Sequence, residues 1–439
     1  MTSFPASGPD ADKVETQFLG ARDLVPVHKF ADFHANTLPG LVVEHGGLVV
    51  DDLRGVSPIA FVASGGVSIT YIPSERGIDL EPGCKKAKTL VELDGMDFSD
   101  FVNEVHTAGG LAMGGKLHFE RGALPDLQRW EPALRALYHG RPIWTASEAA
   151  KIVDDKGQAI DFTKTFTPED SDTEMAQHLA TAGFLHVRGV FGQKDLESLG
   201  AEVNRVREAI EPGTGEAWWS TTTSGEQVVT RINYLDRWSE RIKAACFDAR
   251  VQRFGKLLDA DFRVCDDRLD GPMVFVKNSN VAQGLGNLNW HQDDGLGGHP
   301  VMCPLIQVGV QLDSANPENG QLWVLAGSHR YSNHPMLWGD EDGQPVVKIE
   351  TEPGDVTVHF GDILHTTPPP TGENAGRRVL YFKFAMPKTF EAIPAGAHYN
   401  DLLFKHGAGG RVATRAATWS DDDTQEGFEV ARFEDRDVD

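Results

Sequence analysis

Cysteine is scarce in this 439-residue chain: Cys84, Cys246, Cys265 and Cys303 are scattered and form no CxxC pair. That pattern indicates neither a zinc knuckle nor a disulfide framework, and it fits a reducing compartment. Also lacking is any run of lysines and arginines to offset a formal net charge of −24. Phosphate backbones and anionic membrane surfaces are repelled by such a charge, so neither nucleic acid nor membrane is an expected partner. No stretch of eighteen apolar residues occurs, and the opening MTSFPASGPDADK has no basic n-region or apolar h-region. Spanning and secretion are therefore disfavoured and a cytoplasmic location is expected. Without a GxGxxG in a βαβ setting or a P-loop, nicotinamide and ATP chemistry have no support. Nothing in the chain specifies an oligomeric state.

What the chain does have is 40% hydrophobic and 24% charged residues, enough to bury a real core, at a length that favours two or three domains. The runs IAFVAS and VSITYI, separated by Gly65-Gly66, read as a hairpin, and TLVEL continues the strand pattern. Phe98, Phe101 and Val105 recur at helical spacing, GKLHFERG reads as another strand, and Leu127, Trp130, Leu134 and Leu137 mark a closing helix with Pro132 in its first turns. An α+β N-terminal domain over 1–143 follows. This order of strands, an FxxFV helix, a G-K-L-x-F strand and a last helix resembles the sterol carrier protein 2 family, which implies a lipid or acyl ligand. The plainer reading is a helper domain that covers one face of its neighbour.

Residues 144–170 are polar and turn-rich and read as a linker. A second domain is expected over 171–415. It opens with the strand GFLHVRGV and a helix carrying Leu196, Leu199, Val203, Val206 and Ile210 on one face. From Met273 onward MVFVKN, PLIQVGVQLD, QLWVLAGS, DVTVHF and RRVLYFKFAM are short strands between Gly, Pro and Asn turns, the pattern of a sandwich or jelly roll. The fold class expected is thus α+β, a jelly-roll domain preceded by a smaller α+β domain. An acidic tail, 416–439, ends the chain and reads as solvated.

The chemistry concentrates in NLNWHQDDGLGGHP. In an extended segment His291 and Asp293 leave the same face and can chelate one cation, whereas Asp294 would face away. Alone, an HxD pair carries little weight among sixteen histidines. Downstream, EPGDVTVHFGDILHTTPPPTGENAGRRVLYFKF supplies His365 and then Arg377-Arg378. Two histidines and one carboxylate make the facial triad of non-haem Fe(II) oxygenases, and a guanidinium can fork onto a carboxylate. His299, His329, His334 and His359 read as structural or exposed, and Trp218, Trp219 and Trp238 as core aromatics before pocket walls.

Between the HxD pair and the distal histidine, LDSANPENGQLWVLAGSHR resembles the phytanoyl-CoA dioxygenase family, and the order of motifs agrees across roughly 175–390. The resemblance implies a double-stranded β-helix with Fe(II) on His291, Asp293 and His365. It implies 2-oxoglutarate on Arg377, with Thr367 and Lys277 as further co-substrate contacts, O2 as oxidant and ascorbate as a candidate stimulant. The co-substrate would be decarboxylated to succinate and CO2 while an organic substrate, small or lipophilic and conceivably an acyl derivative, is hydroxylated. The HTTPPPTGENAGRR segment departs from the family with three prolines and a loop one residue longer, which leaves Arg378 as a competitor of Arg377. A carboxylate at position 293 disfavours the halogenases, which have a small residue there. Two other readings stand beside this one: a lipid-binding or sensing protein with an idle barrel, and a cupin-like metal enzyme that does not use 2-oxoglutarate.

Overall fold

The computed structural model describes residues 19–396 apart from 64, 65, 114, 155, 213, 215, 285, 373 and 374. Gly65, the domain end expected at 415 and the acidic tail lie outside the described residues. Alternating β-branched and aromatic residues pair Ile59–Ala63 with Ser68–Ser74 in the expected antiparallel hairpin. A strand not read from the sequence, Gly77–Pro82, extends it. The sheet runs Gly77–Pro82, Ser68–Ser74, Ile59–Ala63, Thr89–Leu93, His118–Arg121, with Thr89–Leu93 parallel to Ile59–Ala63.

The helices Leu38–His45, Gly95–Val102 and Leu124–His139 belong to the same N-terminal unit. Phe33, Phe61, Tyr71, Phe98, Trp130 and Leu134 fill its core at 2% exposure or less. Inside it the Tyr71 hydroxyl meets His34 Nε2 at 2.8 Å and the Tyr138 hydroxyl at 3.2 Å, so its polar atoms are partnered. Pro132 lies in the interior of Leu124–His139, not in its first turns, because the helix begins earlier and already carries Pro125 at its start. The lost helical bond, about 3 kcal/mol, is offset by burying Leu127, Trp130, Leu134 and Leu137 on one face, each contributing about 1.5–3 kcal/mol.

The remainder is built on two facing sheets. The larger runs Val281–Gln283, Ala217–Thr222, Gln227–Ile232, Met273–Lys277, Arg377–Ala385, Leu305–Gln311, Val356–Phe360, Phe184–Val187, with Arg263–Val264 beside the end of Arg377–Ala385. The smaller runs Leu288–His291, His365–Thr367, Leu322–Leu325, Val346–Ile349. Apart from the consecutive pairs Ala217–Thr222 with Gln227–Ile232 and Leu322–Leu325 with Val346–Ile349, the neighbouring strands are distant in sequence, which is the jelly-roll arrangement. One face of the large sheet is apolar: Val274, Val276, Val308, Val310, Val358, Leu380 and Phe382 share a core with Leu199, Val203 and Val206 of the helix Gln193–Ala209 and with Val251 and Phe254 of Ala249–Gly255. Strand alternation turns the intervening residues toward the small sheet, and these are largely polar.

Apart from the short helix Ala146–Ala149, the described residues of 144–170 are largely irregular yet packed. Trp144 stacks edge-on against Tyr331, and Phe166, 1% exposed, is hydrogen-bonded through its backbone to His186 and Arg188. Turn-rich composition identified the irregularity but not these anchors. The N-terminal unit grips the loop that follows Asp293. Gly298 N donates to the Glu104 and Val105 carbonyls, Thr107 N to Leu296 O, and Thr107 Oγ1 to Gly295 O at 2.7 Å. The backbones come so close that a Cβ on Gly110 would stand 1.9 Å from Leu296 O.

Candidate metal centre

Leu288–His291 and His365–Thr367 pair antiparallel in the small sheet, with His291 opposite His365. Their rings stand 4.2 Å apart between centroids. Asp293 follows just beyond the first strand, its N–H donating 2.7 Å to Gly361 O. The ligand atoms of His291, Asp293 and His365 lie within 4.8 Å of one another. The fold thus gathers the three residues into one cluster and leaves Asp294 outside it, bonded to His299 at 2.8 Å.

Orientation is set by backbone carbonyls. His291 Nδ1 lies 2.7 Å from Asn289 O and His365 Nδ1 2.9 Å from Ile363 O, each the carbonyl two residues back. A ring N–H donated there leaves the Nε2 lone pair of each imidazole for a cation. Burial pulls both imidazoles down to about 4, so they are neutral, as ligands must be. At Asp293 burial pushes the carboxyl up, but His365, Lys383, His291 and His359 together hold it below its ordinary value, and Gln307 Nε2 donates to Oδ2. Two imidazoles and a carboxylate in this set fit a first-row divalent cation.

Beneath the triad, Gln307 pairs in register with His359 on one side and Lys383 on the other, so the three side chains share one row of the inner wall. Gly309 and Tyr381 share the next row, and the missing side chain matters there: a Cβ on Gly309 would lie 2.5 Å from the Tyr381 ring. Farther in, Lys277 pairs with Arg377. Lys277 Nζ donates to Thr367 O at 2.6 Å, Asn287 Oδ1 at 2.9 Å and Gly286 O at 3.1 Å; Arg377 Nη2 and Nε donate to Gly320 O at 2.8 and 3.1 Å. Lys277 is 5% exposed and Arg377 4%. Burial first, then the neighbouring guanidinium, drives Lys277 well below the ordinary lysine value. Among the described residues no carboxylate lies at ion-pair distance from either cation. Arg378 points the other way, into an ion pair with Asp313 at 2.7 Å and a hydrogen bond to Asn204. Thr367 lies two residues along the strand from His365, about 7 Å, and meets Lys277 through its carbonyl.

His359 was not singled out by the sequence, yet it is 1% exposed, 4.9 Å from the His365 ring, and both its ring nitrogens lack a partner. The available signal was strand alternation in DVTVHF, which puts His359 on the same face as Thr357. Arg231 was missed too. It lies over the Trp218 ring at 4.5 Å and shares the Asp270 carboxylate with Lys383, at 2.6 and 2.7 Å. Trp219 and Trp238 instead pack on the large apolar core. His329 stacks on Phe360 and His334 bonds to Asp52, both structural as read.

Comparison with known families now has a geometry to meet. Residues 179–379 match the family described as Phytanoyl-CoA dioxygenase (PhyH). Over those residues the chain is similar to the PhyH family. The match is to a class of non-haem oxidoreductases that use iron(II) and 2-oxoglutarate. No curated protein matches the chain. Among solved structures, AviO1 from Streptomyces viridochromogenes Tue57 is 18% identical with a TM-score of 0.41, over 49% of this chain and 96% of its own. EctD from S. alaskensis, solved with 2-oxoglutarate and 5-hydroxyectoine, is 16% identical with a TM-score of 0.40, over 51% and 80%. SnoN, a non-haem α-ketoglutarate-dependent epimerase from nogalamycin biosynthesis, is 16% identical with a TM-score of 0.39, over 49% and 83%. Beyond the three clustered residues the matched region holds the paired inner cations Lys277 and Arg377, and no helix among the described residues is long and apolar enough to cross a membrane.

Proposed function

We propose that this protein is a dioxygenase that hydroxylates a small organic molecule, with iron(II) on His291, Asp293 and His365 and the distal carboxylate of 2-oxoglutarate on Arg377 beside Lys277. The observation that carries the reading is the pair of buried, adjacent cations with no carboxylate partner among the described residues, Lys277 reaching the backbone of Thr367 two residues past His365. Burying a charge without a counter-ion is expensive, and a dicarboxylate reaching inward from the metal would neutralise the pair. A cupin-like enzyme without this co-substrate would have no use for it. Bound together, iron(II) and 2-oxoglutarate activate O2, giving succinate and CO2 and placing one oxygen atom in the substrate. The chain's own part is to hold the histidines neutral, to orient them through Asn289 and Ile363, and to keep Asp293 ionised beside Gln307.

Polarity of the inner wall bears on the substrate. Arg231, Asp270, Lys383, Gln307 and His359 line the side facing the triad, and Gln307 Oε1, the His359 ring nitrogens and Trp218 Nε1 have no hydrogen-bond partner among the described residues. Such atoms favour a molecule with polar functional groups over a bare acyl chain. The N-terminal unit, with its aromatic core filled, serves in this reading as the brace of the loop after Asp293.

The test is anaerobic titration of iron(II)-loaded protein with 2-oxoglutarate, followed by succinate release on admitting O2. A metal-to-ligand charge-transfer band and slow succinate formation are expected without any added substrate. Iron binding with no such band would leave the cupin-like reading in its place. A panel of polar small molecules against acyl derivatives, read as stimulated succinate release, decides the substrate class.

A further inference from the structure

A second cluster of metal-ligating side chains lies on the loop that leaves the triad. Asp294 follows Asp293 directly; His299 opens the short helix His299–Met302 and Cys303 ends it. The ligand atoms of Asp294, His299 and Cys303 all lie within 4.8 Å of one another. His299 Nδ1 is 2.8 Å and Cys303 Sγ 3.5 Å from Asp294 Oδ2. Around a tetrahedral zinc ion, with bonds of about 2.0–2.3 Å, neighbouring N, O and S donors stand about 3.3–3.6 Å apart. The two printed separations fall near that range. Asp294 and Cys303 are 8% exposed, while the His299 side chain is 26% exposed and forms the outer side of the cluster.

A further acid lies nearby. Asp362, from the GD turn ahead of His365, is 7% exposed and its Oδ1 has no hydrogen-bond partner among the described residues. Its charge and those of Asp294, His299 and Cys303 act on one another, but it stands outside the cluster of three. Burial and the Asp294 charge push Asp362 up to about 7, and burial with these two acids raises the Cys303 thiol well above its ordinary value. Arg141 Nη1 stands 3.2 Å from His299 Nε2, and Arg135 and Arg141 both pair with Glu104.

We propose that Asp294, His299 and Cys303 form a site for a thiophilic divalent cation, zinc, distinct from the iron site. On binding, the Cys303 thiol proton is released to solvent as H⁺, and the imidazolium of His299 gives up its Nδ1 proton likewise and keeps the one on Nε2, from which Arg141 Nη1, now 3.2 Å away, turns aside. Thiolate and imidazole together select zinc over iron(II) or magnesium. The ion would tie the loop after Asp293 to the helix His299–Met302, behind one arm of the triad.

Cobalt(II) separates the two sites, because only a thiolate ligand gives an intense near-ultraviolet sulfur-to-cobalt charge-transfer band. Chelator-stripped full chain titrated anaerobically with cobalt should bind two equivalents, with the band saturating at one. Cys303→Ser should lose the band and one equivalent. His291→Ala should keep the band and lose the other equivalent, and His299→Gln should weaken the band-forming site at least tenfold. Absence of the band in wild type, or its survival in Cys303→Ser, overturns the site. Wild type decides the matter even where a variant fails to fold. Failure here leaves the iron site untouched, since that equivalent is read separately through His291.

Discussion

Truncating Arg377 to alanine should raise the KM for 2-oxoglutarate far more than truncating its neighbour Arg378. Arg377 is 4% exposed and spends Nε and Nη2 on one backbone carbonyl, Gly320 O, beside Lys277 on the paired strand. Removing one partner of a buried, hydrogen-bonded charge pair costs about 2–5 kcal/mol. The lower part of that range applies, because Lys277 still stands beside the vacated space and water can enter it. At about 1.4 kcal/mol per tenfold, a loss of about 2–3 kcal/mol is a rise of about 30- to 150-fold in KM. Arg378 pairs with Asp313 at side-chain exposures of 20% and 32%, on the opposite face of the strand. Its loss should cost stability about 1 kcal/mol or less and leave the co-substrate KM where it was. The assay is succinate release against 2-oxoglutarate concentration, with circular dichroism to verify folding. Equal shifts in the two variants, or a larger one for Arg378→Ala, would refute the assignment of the inner wall.

Three further outcomes follow from the same geometry. His359→Phe replaces a buried imidazole with two unpartnered nitrogens; an unsatisfied buried group costs about 1–3 kcal/mol, so the metal-free protein should melt higher while substrate-coupled turnover falls, and a lower Tm would sink the idea. Burial holds His178, His291, His329, His359 and His365 each down to about 4 in the folded chain, against 6.5 as the ordinary value. Between these values the unfolded chain binds protons that the folded one refuses, so their stabilising contribution is whole above about pH 6.5 and is lost progressively toward pH 4; the Tm of metal-free protein should drop from pH 7.5 to pH 5, less steeply in His329→Phe, and a flat profile would count against it. Gly110→Val would drive a side chain into Leu296 O, and it should lower Tm and weaken iron binding together, whereas iron affinity unchanged in a destabilised variant would separate the N-terminal unit from the metal loop.

The three residues proposed as metal ligands, which the fold brings into one cluster, could be named from the sequence because their chemistry is local. An HxD pair on an extended segment, a distal histidine after a GD turn and an arginine opening a long strand form an ordered series, and residues 179–379 carry the family pattern to match. Strand periodicity likewise located Met273–Lys277, Leu305–Gln311, Val356–Phe360 and Arg377–Ala385. Position in a strand, however, leaves its two faces equivalent until something packs on one of them. Whether Arg377 or Arg378 points inward was open in the sequence for that reason; packing of the apolar face of Arg377–Ala385 on the helices turns Arg377 toward Lys277 and leaves Arg378 for Asp313.

His359 and Arg231 were hidden by the same logic. Each gains its meaning from partners far along the chain: Arg231 from Asp270, His359 from Gln307 across the sheet. Pro132 was misplaced within its helix because a proline marks a boundary only when nothing larger outweighs its lost bond, and here an apolar face does. The residue types and their order, then, determined which chemistry this protein can hold. Tertiary structure alone decided which faces turn inward and which buried charges are left without partners, because burial and pairing are properties of the packed chain.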